Sequence, residues 1–191
     1  MNIKQVSGKT GITQLLLLAT VLLLPINSWA AQTVHIKLEI DGNVIEGEST
    51  IASLEREGTI EASGAGFSVS VPVSTTGLPT GRHAYRPYVI TKRLDKTTPL
   101  LFKALTMGEP VTRLEAMYFR PSPGGSGAEE KFQTILLESG LITSIIQTSE
   151  DAILAGESAP PVMEMVSFVF DRITITYEIG GVTHTDTLLL Q

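Results

Sequence analysis

Residues 88–108 read Tyr-Val-Ile-Thr-Lys-Arg-Leu-Asp-Lys-Thr-Thr-Pro-Leu-Leu-Phe-Lys-Ala-Leu-Thr-Met-Gly, and this stretch decides the fold. Its first half alternates in the manner of a strand, with Tyr88, Ile90 and Leu94 on one side. The basic residues near the end of this strand are predicted to decorate its surface. The stretch therefore predicts a strand that runs directly into a helix.

The second half of the stretch carries the marks of a short helix over residues 99–107. Thr98 is predicted to accept a helix N-terminal amide, and Pro99 fits the first helical position because it lacks an amide proton. Gly108 is predicted to end the helix. Nine residues are too few for a stable isolated helix, so it must dock on a sheet through an apolar stripe. That stripe is Leu101, Phe102 and Leu105.

Strand patterns dominate the rest of the chain. Residues 34–40 alternate, which predicts a half-buried strand whose polar face includes His35. Residues 67–74 alternate as well, and Pro72 makes that strand an edge or a bulged strand. Further strands are predicted over 111–120, 131–138, 141–149, 163–178 (buried on both faces at its start) and, after the Gly180-Gly181 turn, 182–190. Many strands and one helix predict an all-β sandwich of two sheets or a barrel.

The first 30 residues differ in kind from the remainder. Lys4 and Lys9 precede an apolar run over 15–24, and Ser28-Trp29-Ala30 supplies small residues for a cleavage site. This pattern predicts a signal peptide over 1–30 and one domain over 31–191. The alternative is an uncleaved membrane anchor, but the apolar run is shorter than the ~20 residues that a span needs.

The composition excludes several kinds of function. Without the two lysines of residues 1–30, 12 Lys and Arg face 20 Asp and Glu, a formal charge of −8. Nucleic acid is therefore not an expected partner, nor is a membrane after cleavage. The chain has no cysteine, which excludes thiol and iron–sulfur chemistry. No cofactor is expected.

Residues for catalysis or metal binding are scattered. His35 and His83 are predicted to be surface histidines, and His184 with Asp186 would supply only two metal ligands. No catalytic, cofactor or metal site is predicted, and the chain is not expected to be an enzyme. A hydrolase on a β scaffold remains a minor hypothesis, for which titratable groups near His184 and Asp186 would have to meet in a cleft.

Three ordered blocks resemble the Hcp family, the ring-forming tube proteins of the type VI secretion system. Residues 91–99 match its strand ending Phe-Thr-Lys-x-x-Asp-Lys before Ser/Thr-Pro. Residues 164–173 match Glu-x-Val-Ser-Phe-x-Phe-x-x-Ile, and 134–145 match its Ile-Thr-Leu-Glu and Val-Ser-Ser-Val segments. Residues 47–50 are a weaker match. A signal peptide is atypical of this family.

The resemblance implies a β-barrel with one helix on its side and a structural role. Six copies would form a ring, rings would stack into a tube that carries effector proteins, and spike or sheath components would be partners. The loop over 75–86 corresponds to the family's long loop that reaches the next ring. The ring or stacking contacts expected are Arg82, His83, Tyr85, Arg86, Lys92 and Asp95.

Two further matters stay open at this point. The signal peptide predicts a secreted or periplasmic protein, whereas a misassigned start site would leave it cytoplasmic before secretion. The alternative function is an exported monomeric barrel or sandwich that binds a peptide or small ligand, unrelated to tube assembly.

Overall fold

The structure is a computed structural model and describes residues 32–124, 127–149 and 161–188. The chain divides into two units, Met1–Ala30 and Ala31–Gln191, and the described residues all belong to the second. The predicted signal peptide and the end of the predicted last strand lie outside the described residues. Within the described ranges, no helix combines the length and the apolar character needed to cross a membrane.

Ten strands and one α-helix make up the described fold, together with a 3-10 turn at Ser53–Glu55. The predicted all-β fold with one helix is confirmed. The elements are β1 Thr33–Ile40, β2 Asn43–Ile45, β3 Ile60–Gly66, β4 Val69–Ser70, β5 Ala84–Tyr85, β6 Tyr88–Arg93, α1 Thr98–Met107, β7 Val111–Pro121, β8 Glu129–Thr148, β9 Met163–Tyr177 and β10 Val182–Thr187.

Antiparallel pairing closes the main sheet into a barrel. Strands follow one another in the order β9, β6, β3, β1, β7 and β8, and β8 pairs back with β9 along most of its length. Strand β10 adds to the second half of β9, and β2 adds to β1. Strands β4 and β5 form a separate two-stranded hairpin. The predicted barrel is therefore confirmed.

The barrel interior holds the hydrophobic core. Alternate residues of β1, including Ile36 and Leu38, are fully buried, as the period-two pattern requires. Phe168 on β9 and Leu101 on α1 also lie in this core. A strand with one face inside and one face outside thus explains most of the alternation in the sequence.

A second, smaller core lies outside the barrel, under the segment that joins β2 to β3. His35 on β1, with Met117 and Phe119 on β7, is buried although these residues lie outside the main core cluster. The buried guanidinium of Arg56 lies 4.7 Å from the centre of the Phe119 ring. The prediction that His35 is a surface histidine is wrong because this segment covers its strand face.

Two strand predictions are corrected by the structure. Residues 67–74 do not form a half-buried strand: only Val69–Ser70 is strand, and Val69, Val71 and Val73 are exposed. The two strands predicted over 131–138 and 141–149 are one strand, β8, bent where Ser139 has a φ of 56°. At the bend, Gly140 approaches β9 so closely that an added Cβ would lie 2.1 Å from the carbonyl oxygen of Val169.

The start of β9 is less buried than the sequence predicts. Met165 and Val169 are exposed at 38% and 39%, while Val166 and Phe168 between them are buried. The continuous apolar run therefore does not mean burial on both faces. It places apolar side chains on the outer surface of the barrel.

The helix confirms its predicted extent and end but not all of its details. Gly108 adopts the left-handed conformation that ends α1, as predicted. Thr97 is the N-cap residue, and no side chain makes the cap hydrogen bond, so the predicted capping role of Thr98 is wrong. Leu101 is buried, whereas Phe102 is 59% exposed and does not belong to the docking stripe.

Candidate functional site

Residues 67–87, here called the arm, leave the barrel between β3 and β6. Strands β4 and β5 form the lower part of the arm, closed by a hydrogen bond from the Arg86 amide to the Ser68 carbonyl at 2.8 Å. Further out, the Thr80 amide donates to the Pro72 carbonyl at 2.9 Å, and Gly77 turns the chain with a φ of 82°. The arm is thus an ordered hairpin and not a featureless loop.

The arm carries an exposed apolar stripe. Its side chains are Val69 (46% exposed), Val71 (44%), Val73 (63%) and Leu78 (66%). Exposed apolar side chains that cluster on one projecting element are typical of a protein interaction surface. The alternation that suggested a half-buried strand in the sequence therefore marks a surface that the single chain leaves uncovered.

Aromatic rings fix the base of the arm to the barrel. The ring of Tyr85 lies 5.9 Å from that of Phe67 and 5.5 Å from that of Phe170, in a T-shaped arrangement with the latter. Phe67 also stacks at 6.4 Å on Tyr88, the first residue of β6. Because aromatic pairs at these distances add stability beyond burial, the base of the arm has a defined position.

A carboxylate on β10 completes this base. Asp186 Oδ2 accepts a hydrogen bond from Tyr85 Oη at 3.0 Å and lies 2.6 Å from His83 Nε2. Burial alone would raise the pKa of Asp186, but the Tyr85 hydrogen bond and the charge of His83 lower it below the usual range. Burial and the carboxylate together raise the pKa of Tyr85.

The six contact residues predicted from the sequence separate into two groups. Arg82, His83, Tyr85 and Arg86 all lie on the arm, where both arginines are exposed and Tyr85 is half-buried. Lys92 and Asp95 lie elsewhere, with side chains 0% and 11% exposed. A fully buried ammonium offers no surface to a neighbouring copy, so Lys92 is a core residue in this structure and does not decorate the strand end.

Lys92 is the centre of a buried ion cluster that joins three elements. Its Nζ lies 2.7 Å from Glu164 Oε1 on β9 and 2.8 Å from Asp95 Oδ1 at the start of the turn into α1. It also donates to the Arg93 carbonyl at 2.8 Å, and Thr98 Oγ1 donates to Glu164 Oε1 at 2.8 Å. The cluster ties β6, β9 and the first turn of α1 together.

An apolar cleft of about 590 Å³ opens at the bend of β8. Its apolar lining comes from Val111 on β7, Leu141 on β8, Val169 and Phe170 on β9, and Leu188. Leu141 is 43% exposed. This cleft and the stripe of the arm are two apolar surfaces of one chain.

One family of known proteins matches the chain in motif and in fold. The family model described as "Type VI secretion system effector, Hcp" matches residues 38–177. The chain belongs to the Hcp family. The "Major exported protein" of Pseudomonas aeruginosa is 32% identical to it over 143 residues, which cover 73% of this chain and 82% of that protein.

Solved structures of Hcp proteins share this fold. A crystal structure of an Hcp protein superimposes with a TM-score of 0.76 at 29% identity, covering 84% of this chain and 100% of that one. The Hcp1 protein from the E. coli EAEC 042 pathovar gives 0.71 at 26% identity, covering 83% and 99%. The predicted family, the β-barrel fold and the function as a protomer of the type VI secretion tube are therefore confirmed.

The Hcp motifs acquire a physical meaning in the structure. Lys92 and Asp95 come from the first block and Glu164 opens the second, and register places Lys92 directly opposite Glu164. The weaker match at 47–50 begins with Gly47, where an added Cβ would lie 2.1 Å from the carbonyl oxygen of Thr59. The Hcp blocks thus mark a buried ion cluster and a close backbone approach, two features that fix the barrel.

In this Hcp family member, two titratable residues form a contact that the sequence did not predict. His83 and Asp186 lie about 100 positions apart in the sequence, and no local pattern relates them. Their contact was missed because β10 reaches the base of the arm only in the folded chain. Among the described residues, no group of three or more His, Cys, Asp or Glu side chains is placed to hold a metal ion.

Proposed function

We propose that six copies of this chain close into a ring, that rings stack into a tube, and that the tube carries effector proteins with spike or sheath components as partners. The observation that carries this proposal is the arm, which projects four exposed apolar side chains from an anchored base. Assembly with other copies would cover this apolar surface, whereas an isolated chain would leave it exposed to water.

Unpaired strand edges support assembly. The barrel closes on itself, so within residues 32–124, 127–149 and 161–188 the outer edges of β2 and β10 carry no strand partner. An exposed strand edge offers unpaired amide and carbonyl groups that another chain can complete. Edge pairing between neighbouring copies would hide these groups and would close a ring.

We further propose that the stripe of the arm docks into the apolar cleft of a neighbouring copy. The cleft is open, apolar and large enough for one or two branched side chains such as Val73 and Leu78. A contact between two different surfaces of identical chains propagates from copy to copy, which is the arrangement that stacked rings require.

The contacts among His83, Tyr85 and Asp186 support a role in positioning the arm and not a role in catalysis. The hydroxyl of Tyr85 donates a hydrogen bond to a carboxylate, and the raised pKa of Tyr85 makes it a poor nucleophile. The cleft beside Tyr85 holds only about 40 Å³, far below the several hundred Å³ of a usual small-molecule site. We therefore propose that the protein is not an enzyme and needs no cofactor.

Light scattering coupled to size exclusion tests the assembly. The full chain as purified should elute as a six-fold assembly, and Val71→Ser combined with Val73→Ser should reduce the fraction of higher assemblies while the far-ultraviolet circular dichroism stays that of the parent chain. Met107→Ser is the matched control, since Met107 is 71% exposed but lies on α1. A parent chain that stays monomeric at micromolar concentration contradicts the proposal.

The absence of cysteine permits a second, sharper test of the docking partner. One chain carries Thr76→Cys at the tip of the arm, and another carries Thr112→Cys at the rim of the cleft. Mixing equal amounts of the two under oxidising conditions should give a disulfide-linked heterodimer well above the one-half of all dimers that random pairing produces. A 1:2:1 ratio of homodimer, heterodimer and homodimer would argue against docking of the arm in the cleft.

We also propose that residues 1–30 are removed and that the protein is exported. The amino-acid pattern described above supports this, and the Pseudomonas aeruginosa relative is called a major exported protein. The intact mass of the protein isolated from its native host tests it: a chain beginning at residue 31 is expected. A full-length mass would contradict cleavage.

A further inference from the structure

Asp186 holds the base of the arm through two contacts that respond differently to pH. Tyr85 Oη donates to the carboxylate at 3.0 Å, and a phenol keeps its proton throughout the physiological range. His83 Nε2 lies 2.6 Å from the same oxygen, but this contact is an ion pair only while the imidazole carries its second proton. One contact is therefore permanent and the other is conditional.

The neighbours of His83 and Asp186 at the base of the arm include an aromatic ring, an apolar residue and an arginine that is paired elsewhere. The ring of His83 packs edge-on against Tyr85 at 5.5 Å. Ile173, opposite Asp186 on β9, is apolar, and Arg172 beside it is held by Glu138 at 2.7 Å. The other charged or titratable groups on the elements that meet here are Arg82 and Arg86 on the arm, His184 on β10, and Asp171, Glu164 and Tyr177 on β9.

We propose that His83 and Asp186 form a pH-sensitive latch that positions the arm. In mildly acidic solution the protonated imidazole and the carboxylate hold the arm against β10. Loss of the imidazole proton in alkaline solution removes the charge from this contact and weakens it, so that the position of the arm depends more on Tyr85 and the aromatic rings. The latch regulates the docking surface of the arm, so its importance for assembly rests on the function proposed above.

The sign of the effect follows from the charges. The carboxylate stays ionised well below neutral pH because the Tyr85 hydrogen bond and the His83 charge outweigh burial and lower its pKa. The latch is therefore closed while the imidazole is protonated and weakens as rising pH removes that proton. His83 is 42% exposed and Asp186 24%, so solvent screening limits the change to about two- to five-fold in the opening equilibrium.

Hydrogen exchange at the Arg86 amide measures the opening, because this amide donates to Ser68 across the base of the arm. After correction for intrinsic exchange, the full chain should exchange about two- to five-fold faster at pH 8.0 than at pH 5.5. His83→Gln should abolish this pH dependence, and Asp186→Asn should exchange fast at both values. Tyr85→Phe should exchange faster at both values while keeping the pH dependence.

Two results would overturn the latch: exchange at Arg86 that is independent of pH in the parent chain, or a pH dependence that survives in both His83→Gln and Asp186→Asn. The amide of Thr80, which donates to Pro72 further out on the arm, serves as the internal reference. Light scattering on the same samples separates the two proposals. A monomer whose arm shows pH-dependent exchange supports the latch and contradicts the ring. A ring whose arm exchanges independently of pH supports the ring and contradicts the latch.

Discussion

Replacing Lys92 with methionine should destabilise the barrel more than any other single change at a lysine, because Lys92 neutralises two carboxylates inside the protein. Its side chain and that of Glu164 are both 0% exposed, and Asp95 is 11% exposed. Methionine fills a similar volume but leaves both carboxylates without their cation. Removing one partner of a buried ion pair costs about 3–5 kcal/mol.

The electrostatics of Asp95 show the same dependence. Burial alone would raise the pKa of Asp95, yet hydrogen bonds from Lys92 and Thr97 and the charge of Lys92 lower it. Without the ammonium, Asp95 and Glu164 repel each other or take up protons, and either response costs free energy. The loss is therefore expected to be larger at pH 7 than at pH 4, where protonation relieves part of it.

Urea unfolding at pH 7 measures this loss at one fixed protein concentration, since assembly also stabilises the folded state. We expect a decrease of about 3–5 kcal/mol for Lys92→Met, or about 6–20 °C in unfolding temperature for a domain of this size. Lys96→Met is the control, because Lys96 is an exposed lysine four positions away, and it should change stability by about 0.5 kcal/mol or less.

A double variant separates charge from packing. Lys92→Met combined with Glu164→Met removes the pair together, so it should lose less stability than the sum of the two single variants. A loss below about 1 kcal/mol for Lys92→Met, or strict additivity in the double variant, would refute the reasoning.

Three further predictions concern buried groups and backbone approaches. Burial lowers the pKa of His35, so the folded state takes up the imidazole proton only at a lower pH than the unfolded state does. The stability measured by urea unfolding should therefore fall as pH drops below about 6.5, and the His35→Gln variant should lack this part of the pH dependence. Gly47→Ala forces a Cβ to within 2.1 Å of a carbonyl oxygen and should cost about 1–3 kcal/mol, whereas Gly64→Ala, which meets nothing within 4 Å, should stay close to the parent in the same assay. Leu101→Ala should cost about 2–5 kcal/mol and Phe102→Ala about 0.5 kcal/mol or less, and comparable losses at the two positions would contradict the observed orientation of the helix.

Prediction from the sequence succeeded where a local pattern is compatible with only one structure. Alternation predicted β1 and β7 nearly to the residue, and Gly108 ended α1 as expected. Gly180 and Gly181 both have positive φ in the predicted turn before β10. In each case the deciding contact is made within a few residues or between adjacent strands, so the pattern carries the information by itself.

Burial of polar groups was where prediction from the sequence failed. His35 and Lys92 were expected on the surface because their residue types are usually exposed. Each is buried because a distant segment supplies a partner. His35 and Thr59 share a hydrogen bond of 2.8 Å, and Lys92 pairs with Glu164. The periodicity placed Lys92 on the face of Tyr88 and Ile90, so the pattern held and the residue type misled.

The sequence by itself determined the family, most of the strands, and the position and glycine end of the helix, since these depend on spacing and on turn chemistry that neighbouring residues set. Only the tertiary structure decided which apolar residues remain outside, as Val71 and Val73 of the arm do, and which distant charges meet, as His83 and Asp186 do. The physical reason is that burial and ion pairing depend on what covers a residue, and that cover comes from segments far along the chain.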